Sequence, residues 1–580
     1  MERTNRHEVI VLLVAALIYL VSVWSPPSLM DDVDAVQAKI AANMLESGDW
    51  VTARLNGVKY LEKSPLVYWL MAGSFAIFGV YDWAARIPIA LAVVLLCWVV
   101  YRFGRWAFGE RPGYYAGLVM ATGVGLFLFT RILIPDVILT LAITLALWGF
   151  LRALEGKGLW AWVFWASIGV GLLLKGLIAA VFPVASAVIF CLVTGDWRQW
   201  RRLRPFSGIA LLLAIAAPWH VLATLRNPPY LDFTMRSVGG EYHGFFWFYF
   251  FNEHVFRFLN MRHPRDYNTV PRAAFWLFHL LWLFPWSVWF CHLWRLAYAG
   301  KGRAERTRLL CLCWAGFLMT FFTFSTTQEY YSMPCYPALA LLLGCAIERG
   351  PGRWPRLIAS AVSATALLAV LYILSQVWAL STPGDISQAL VAQAGDAYTL
   401  SLGHMGDLRM ASFAYLRLPL MLAGVAFAVG AMTWKWREMA LVLMMVLFLN
   451  AARLALITFD PYLSSRPLAE KLKQSPAGQV IVDNQYYTFS SIFFYAGVKN
   501  ALLLNGRVNN LEYGSHEPGA PQVFCLDADL EREWNQPERR YLVVEGPAVE
   551  RIRRLVGADR LITVQAAGGK HLFTNQPIAP

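Results

Sequence analysis

Charged residues are scarce in this chain, and their scarcity excludes an ordinary soluble globular protein. Only 15% of the 580 residues are Asp, Glu, Lys or Arg, whereas 58% are hydrophobic. The mean hydropathy is +0.47. A chain with so few charges must place most of its surface in an apolar environment.

Several motifs of soluble proteins are missing too. Seven of the eight cysteines lie in or beside hydrophobic segments, so the sequence indicates neither a disulfide framework nor a zinc-binding spacing. Despite a net charge of +13, no basic stripe carries exposed aromatic residues, and we expect no nucleic-acid partner. There is no internal repeat, no glycine-rich phosphate loop and no nucleophile elbow.

Long hydrophobic runs are abundant instead. Runs of about twenty residues can cross a hydrocarbon core of roughly 30 Å. We predict about thirteen transmembrane helices, the first of them retained rather than cleaved as a signal peptide. The predicted spans are 8–24, 84–103, 112–130, 134–152, 159–174, 177–195, 206–224, 272–294, 307–325, 332–348, 356–380, 413–433 and 437–458.

Positive charge alternates between the connecting loops. Basic loops are typical of the cytoplasmic side, and here every second connection is basic. These basic loops are 102–111, 152–157, 198–204, 295–308, 349–356 and 435–437. The remaining connections, including 25–83 and everything after 459, are therefore predicted to lie on the outer face.

The sequence predicts two domains, 1–458 in the membrane and 459–580 outside it. The first outer loop, 25–83, contains an amphipathic stretch at 33–46 and a short apolar stretch at 65–80, and 244–259 is a further interfacial segment. In the C-terminal domain, short apolar runs at 480–483, 501–504, 541–544 and 561–564 indicate strands. Predicted helices at 489–496 and 547–556 make this a small α/β domain.

Unusual polar residues gather in the predicted outer segments, although this asymmetry depends in part on the assigned sidedness. Ionisable groups at a membrane boundary are candidates for function. Simpler interpretations remain open: the aspartates could cap helices, Lys175 could snorkel, and the tyrosines could belong to an interfacial belt. The candidates are Asp31, Asp32, Asp34, Glu62, Lys63, Arg131, Asp136, Lys175, Glu253, His254, Arg257, Glu329, Tyr330 and Tyr331.

A lipid-linked sugar phosphate is a substrate that would need both acids and fixed cations in a cleft between water and lipid. A carboxylate can act as general base on an acceptor hydroxyl, while lysine and arginine side chains stabilise the departing phosphate. A nucleotide donor would more often require a metal and an Asp-x-Asp site on the cytoplasmic side. Asp32-Val-Asp34 has that form but lies on the opposite predicted face.

The same residues resemble a known family. The segments Asp31–Ala35, Met44–Trp50 and Asn56–Leu66 are similar to the first outer loop of the aminoarabinose lipid A transferase and protein O-mannosyltransferase superfamily. Arg131–Asp136, Leu174–Gly176, Glu253–Phe258 and Tyr330–Pro334 are further similarities. This resemblance implies the glycosyltransferase-C fold, interfacial juxtamembrane helices and sugar transfer from a polyprenyl phosphate, usually with inversion.

The resemblance also implies roles for individual residues. The acid–base group would be Asp32 or Asp31, with Asp34 also open because the family usually has Asp-Glu at this point. The lipid phosphate and sugar would be bound by residues from several segments: Lys63, Lys175, Arg257, Asp136, Arg131, Tyr330 and Tyr331. No cofactor is required, but Glu62 and His254 resemble a position where some relatives hold a divalent metal such as zinc. A second departure is Gln328-Glu329, where relatives often carry a lysine.

We therefore expect a monomeric glycosyltransferase of the bacterial inner membrane, with its site and C-terminal domain in the periplasm. Its acceptor would be a lipid A-type glycolipid or a protein. The alternative from another class is a transporter of lipid or polysaccharide, or a ligase for preassembled glycans. Transporters often carry repeats and mid-membrane charges, and neither is visible here.

Overall fold

The computed structural model describes residues 6–265, 270–350, 352–390 and 407–578, and it is mostly helical. Among these residues, eight helices are long and apolar enough to cross a membrane. They are Arg6–Trp24, Asp82–Phe108, Asp136–Leu154, Gly158–Lys175, Pro205–Arg226, Glu329–Arg349, Arg353–Val377 and Glu438–Thr458. This confirms the predicted polytopic helical class.

The predicted count of thirteen spans is not confirmed. A bent helix pair, Arg272–Trp282 and Trp286–Arg295, would bring the number to nine within the described ranges, but its two halves meet at 104°. The predicted span 112–130 is divided at Gly123, whose extended backbone separates Glu110–Thr122 from Val124–Phe129. Two other predicted spans form the shorter apolar helices Ile178–Thr194 and Arg417–Ala431.

The remaining helices lie between the spans or in the C-terminal region. Most are short. They are Val33–Ser47, Leu66–Phe78, Gly244–Phe246, Arg303–Thr323, Thr433–Trp436, Asp460–Leu463, Arg466–Gln474, Ser490–Tyr495, Glu512–Ser515, Asp527–Trp534 and Val549–Val556. A π-helix, Trp247–Phe256, continues directly from Gly244–Phe246.

The predicted amphipathic stretch in the first outer loop forms the helix Val33–Ser47, but this helix is covered on more than its apolar side. Val36 and Ile40 are buried as expected, and so are Gln37 and Lys39, which are 3% and 7% exposed. The helix packs between Leu66–Phe78 and the C-terminal helix Ser490–Tyr495. It is therefore enclosed by protein on more than one side, and its position at the membrane interface stays a prediction.

A small hairpin follows this helix. Strand β1 (Arg54–Leu55) pairs antiparallel with β2 (Val58–Lys59). The turn residues Asn56 and Gly57 have φ of 50° and 80°, as a two-residue hairpin turn requires. The hairpin directs the chain into Tyr60, Glu62 and Lys63.

The C-terminal region contains a six-stranded sheet in the order β5-β4-β3-β6-β8-β7. Its strands are β3 (Gln479–Asp483), β4 (Leu502–Leu504), β5 (Phe524–Cys525), β6 (Arg540–Glu545), β7 (Ile562–Ala567) and β8 (Lys570–Thr574). Strands β5, β4, β3 and β6 are parallel, whereas β8 and β7 are antiparallel. The four predicted strands match β3, β4, β6 and β7, and the domain boundary at 458/459 stays a prediction.

The first outer loop is bound directly to the C-terminal region. The Asp31 N–H donates to the Leu463 carbonyl at 2.9 Å, and the Asp32 N–H donates to the Tyr487 carbonyl at 2.8 Å. The side chain of Asn56 exchanges two hydrogen bonds with the backbone of Ala501, each 2.8 Å long. These contacts fix the position of the first loop relative to the sheet.

Candidate functional site

A cavity of about 370 Å³ lies at one end of the helical bundle. Segments far apart in the chain form its wall: the turn after the hairpin, the ends of three membrane helices, and the π-helix. One part of the wall is ionisable and consists of Glu62, Lys63, Asp136, Lys175, Glu253, His254 and Arg257. The structure therefore brings together most of the cations and several of the acids that the sequence singles out.

The charged groups of this cavity form pairs. Lys175 Nζ is 2.5 Å from Asp136 Oδ1, and Lys63 Nζ is 2.5 Å from Glu62 Oε1. Arg257 Nη1 lies 2.9 Å from Glu253 Oε2. Each cation therefore has a carboxylate that compensates its charge.

Within each pair, the carboxylate is the more deeply buried partner. The side chains of Asp136, Glu62 and Glu253 are 2%, 5% and 4% exposed, whereas those of Lys175, Lys63 and Arg257 are 18%, 26% and 21% exposed. The side chains of the three cations thus face the interior of the cavity. An anion entering the cavity would meet cations first.

Glu62 connects two of these pairs. Its Oε1 also lies 3.8 Å from Arg257 Nη1, and its Oε2 accepts a hydrogen bond of 3.0 Å from the Tyr60 hydroxyl. Burial opposes ionisation of Glu62, but Lys63, Arg262 and Arg257 outweigh burial and lower its pKa to about 2. Glu62 is therefore a permanent anion that holds the cations in place.

Lys175 lies at the junction of a helix end and two aromatic rings. Its Nζ is 5.0 Å from the ring centre of Tyr330 and 4.9 Å from that of Tyr331. Its partner Asp136 is 1% exposed, and Asp136 Oδ2 has no hydrogen-bond partner among the described residues. The Lys175 ammonium is therefore held by one carboxylate and two rings.

The rest of the cavity wall is apolar. Its side chains include Leu139, Ile178, Val181, Phe182, Val255, Phe258, Leu259, Phe321 and Phe322. Several of them reach the surface: Val181, Val255 and Leu259 are 37%, 38% and 53% exposed. The cavity is polar at one end and opens onto an apolar surface at the other.

His254 is occupied by backbone groups on both ring nitrogens. Nδ1 lies 2.5 Å from the Tyr249 carbonyl, to which it donates, and Nε2 accepts from the Leu177 N–H at 3.1 Å. Burial lowers the pKa of His254 to about 4, so the imidazole is neutral.

These contacts test the predicted metal site. Glu62 already contacts Lys63 and Arg257 through Oε1 and the Tyr60 hydroxyl through Oε2. The lone pair of His254 Nε2 is used by the Leu177 N–H. In the described ranges no cluster of three or more His, Cys, Asp or Glu could hold a metal ion. The residues present do not fit a zinc site at Glu62 and His254.

The three first-loop aspartates are not among the described residues that line this cavity. Asp34 is buried and pairs with Arg86 at 2.9 Å, while the N–H groups of Met30 and Leu133 donate to it at 3.2 and 3.0 Å. Its carboxylate therefore joins the first loop to the helix Asp82–Phe108 and to the segment that precedes Asp136–Leu154.

Asp31 makes comparable contacts with residues of the C-terminal region. Its Oδ2 lies 2.6 Å from Lys570 Nζ and 2.5 Å from the Ser465 hydroxyl, and its Oδ1 accepts from the Ser491 N–H at 2.8 Å. These contacts attach the first outer loop to the C-terminal region.

Asp32 differs from both neighbours. Its side chain is exposed, and no side chain in the described part of the protein donates to it. The surrounding protein nevertheless removes much of the bulk water, and this desolvation, with the charge of Asp31, raises its pKa to about 7 against the pull of the Val33 N–H. Its backbone is left-handed, with φ of 78°, which is unusual for a residue other than glycine.

Arg131 lies away from the cavity. Its guanidinium donates to the Ser22 hydroxyl at 2.6 Å and lies over the rings of Phe127 and Tyr19, at 4.6 and 5.8 Å. These contacts hold helices together, and they leave Arg131 outside the cavity that contains Lys63, Lys175 and Arg257.

Sequence reasoning missed several residues that the structure brings to the site. The Ser64 hydroxyl lines the cavity and contacts the Tyr249 hydroxyl, while Arg262 lies 2.6 Å from Glu253 Oε1. Tyr60 and Tyr487 lie behind Glu62. The Asn56-Gly57 turn could have predicted the hairpin that positions Tyr60, but no local pattern indicates Tyr487.

The fold defines the class of the protein. Over 98% of its length, the chain superposes on 98% of a crystal structure of ArnT from Cupriavidus metallidurans bound to undecaprenyl phosphate, with a TM-score of 0.77 and 22% identity. The apo crystal structure of the same protein gives a TM-score of 0.76. The chain is thus a polytopic membrane protein with the glycosyltransferase-C fold.

Sequence comparisons show similarity to known glycosyltransferases over part of the chain. Residues 62–221 match the family described as dolichyl-phosphate-mannose-protein mannosyltransferase. Undecaprenyl phosphate-alpha-4-amino-4-deoxy-L-arabinose arabinosyl transferase from Edwardsiella ictaluri is 27% identical over 54% of this chain and 55% of its own length. A Proteus mirabilis protein of the same description is 29% identical over 54% of each chain.

The chain is therefore similar in sequence to these aminoarabinose transferases and, over residues 62–221, to the mannosyltransferase family. The matched region spans only about 55% of the length of these relatives.

Proposed function

We propose that this protein is a glycosyltransferase that moves a sugar from a polyprenyl-phosphate donor to an acceptor of the bacterial envelope. The observation that carries the proposal is the cavity itself, with three outward-facing cations at one end and an apolar wall at the other. A lipid phosphate has the same division into an anionic head and a hydrocarbon chain.

Lys63, Lys175 and Arg257 would bind the phosphate of the donor. Because each is already oriented by a buried carboxylate, little reorganisation is needed when the phosphate leaves with its full charge. Tyr330 and Tyr331 would keep the Lys175 ammonium in place, and Asp136 would anchor it. The apolar wall would receive the first isoprene units.

Asp32 is the aspartate best suited to act as general base, because Asp31 and Asp34 are committed to other contacts. In the proposed step, Asp32 takes the proton of an acceptor hydroxyl while the oxygen attacks the anomeric carbon. The bond from that carbon to the phosphate oxygen breaks, and the polyprenyl monophosphate leaves with the bonding electrons. Protonated Asp32 returns its proton to water.

Different observations support the proposed acceptor and the proposed side of the membrane on which the cavity opens. The arabinosyl transferases similar to this chain favour an envelope glycolipid of the lipid A type, with a protein acceptor as the second possibility. The positive-inside pattern favours a location in the inner membrane with the cavity at the periplasmic face.

Binding and transfer by the purified full chain test this proposal. Lys63→Ala and Lys175→Ala should each weaken binding of undecaprenyl phosphate by about tenfold or more, because a charge-assisted contact is lost. Lys473→Ala removes an exposed lysine from the C-terminal domain and serves as the control. Equal binding by all three variants would contradict the assignment of the phosphate site.

Transfer from polyprenyl-phosphate sugars should fall by about 10² to 10⁴ in Asp32→Asn, since general-base catalysis typically contributes that much. Binding of undecaprenyl phosphate should be unchanged in this variant. Binding without transfer from any polyprenyl-phosphate sugar in the wild type would instead favour a transporter.

A further inference from the structure

We infer that Tyr487, in the C-terminal domain, is a positioning residue for the Glu62–Lys63 pair. This inference rests on the proposed binding of a lipid phosphate at Lys63. It extends the site beyond the membrane domain and gives the C-terminal domain a part in donor binding.

A chain of hydrogen bonds connects the two regions. Asn510 Nδ2 lies 2.9 Å from the Tyr487 hydroxyl, which lies 3.0 Å from the Tyr60 hydroxyl. The Tyr60 hydroxyl in turn lies 3.0 Å from Glu62 Oε2. Beyond Glu62, Oε1 contacts Lys63 at 2.5 Å.

The two ends of this chain determine the direction of its hydrogen bonds. The Asn510 amide nitrogen can only donate, and an ionised carboxylate can only accept. Tyr487 therefore accepts from Asn510 and donates to Tyr60, and Tyr60 donates to Glu62. Burial raises the pKa of both tyrosines well above the ordinary range, so both hydroxyls keep the protons that they donate.

This arrangement is more than a way to satisfy buried hydroxyl groups. The hydroxyls of Tyr486 and Tyr68 are also buried, and neither has a partner among the described residues. The fold thus tolerates buried tyrosine hydroxyls without hydrogen bonds. The Tyr487 hydroxyl, by contrast, both accepts and donates a hydrogen bond, and its acceptor Tyr60 is bonded to Glu62 in the cavity wall.

The backbone of Tyr487 connects to the other candidate group. Its carbonyl accepts from the Asp32 N–H at 2.8 Å. A single residue of the C-terminal domain therefore contacts the loop that carries Asp32 and, through its hydroxyl, the pair that would bind the phosphate.

The decisive variant is Tyr487→Phe, which removes the hydroxyl and keeps the ring and the backbone contact with Asp32. We expect its affinity for undecaprenyl phosphate to fall by about three- to tenfold, the usual effect of losing one hydrogen bond to a buried polar network. Its affinity for undecaprenol, which lacks the phosphate, should not change. A merely structural role would weaken binding of both lipids.

Tyr486→Phe is the matched control, because it removes a neighbouring buried hydroxyl that has no partner in the described residues. It should bind both lipids as the wild type does. Asn510→Ala, which removes the donor at the far end, should show the same phosphate-specific loss to a smaller degree.

A double-mutant cycle tests whether Tyr487 acts on Glu62 through Tyr60. In a Tyr60→Phe background the connection to Glu62 is already broken, so Tyr487→Phe should have no further effect on phosphate binding. Additive effects, an unchanged affinity in Tyr487→Phe, or an equal loss in Tyr486→Phe would each overturn the inference. If the wild type did not prefer undecaprenyl phosphate to undecaprenol, or if Lys63→Ala did not reduce that preference, the proposed phosphate site would itself fail.

Discussion

Asp32 shows how surroundings can separate the roles of side chains with identical chemistry. Asp34 is paired with Arg86, and Asp31 with Lys570, so both carboxylates are engaged in structural contacts. Among the described residues no cation pairs with Asp32, its side chain is accessible, and desolvation followed by the charge of Asp31 raises its pKa to about 7. A base with a pKa near the working pH is the most effective proton acceptor.

The pH dependence of transfer should report this group. Because the base must be ionised, the rate should rise with pH through a midpoint near 7. Asp31→Asn removes the neighbouring negative charge and leaves Lys570 unpaired, and both changes favour ionised Asp32. The midpoint should therefore move to lower pH, measured as kcat/KM for the donor across roughly pH 5 to 9, because that ratio reports groups of the free enzyme.

Asp49→Asn provides the control, since Asp49 lies in the same loop and accepts hydrogen bonds from the local backbone at Val51 and Thr52. Its profile should match the wild type. A midpoint that stays in place or moves to higher pH in Asp31→Asn would contradict the assignment. The same raised pKa makes the contribution of Asp32 to stability decrease as pH rises from about 3.8 to about 7, because the native state binds more protons in that range.

At the scale of elements, the break after the helix Gly158–Lys175 determines where Lys175 and His254 meet. Gly176 ends this helix with φ of 69°. A Cβ at this position would lie 2.1 Å from His254 Nε2 and 2.7 Å from the Tyr249 hydroxyl. Only glycine allows the chain to turn here while the Leu177 N–H donates to His254.

Gly176→Ala should therefore displace both the π-helix and Lys175. We expect a loss of about 1–3 kcal/mol in the free energy of unfolding, from backbone strain and the steric clash, together with weaker binding of undecaprenyl phosphate. Denaturant titration and equilibrium binding measure the two effects. Gly73→Ala is the control, because a Cβ at this helical position would meet no atom within 4 Å. It should be neutral or slightly stabilising, and a Gly176→Ala variant equal to it would contradict this account.

These elements also show what the sequence could predict. The polar break Lys175-Gly176 within an apolar run was visible, as were Asp136 and the cations at 63 and 257, because charges at the ends of spans are rare and costly. The pairing of Asp34 with Arg86 was not, since Arg86 lies in the first turns of a span and looks like an ordinary boundary residue. Neither were the contacts of Tyr487, because nothing in its local sequence encodes a partner more than 400 positions away.

For the molecule as a whole, the sequence predicted a polytopic helical protein with strands in its C-terminal region, and it treated that region as an accessory. The structure shows that the C-terminal region contacts the first loop with main-chain and side-chain groups. In parallel sheets, ligands often bind beyond the carboxyl ends of the strands, where the strand order reverses. Here the Ser491 N–H, in the helix that follows the central strand β3, donates to the carboxylate of Asp31.

The Asp31–Lys570 pair should therefore couple the stability of the two regions. Both side chains are largely buried, at 9% and 10% exposure. Lys570→Met leaves a buried carboxylate without its cation, which should cost about 3–5 kcal/mol in the free energy of unfolding. The double variant Asp31→Asn with Lys570→Met should regain most of that loss, because the neutral amide no longer needs a cation.

The Lys499–Glu46 pair supplies the comparison, since it also joins the C-terminal domain to the first loop but is 66% and 57% exposed. Lys499→Met should cost less than about 1 kcal/mol, as exposed ion pairs usually do. Denaturant titration of the full chain in detergent micelles measures all of these variants. If Lys570→Met were no more destabilising than Lys499→Met, the first loop would not depend on the C-terminal domain, and Asp32 would have to be held by the membrane helices alone.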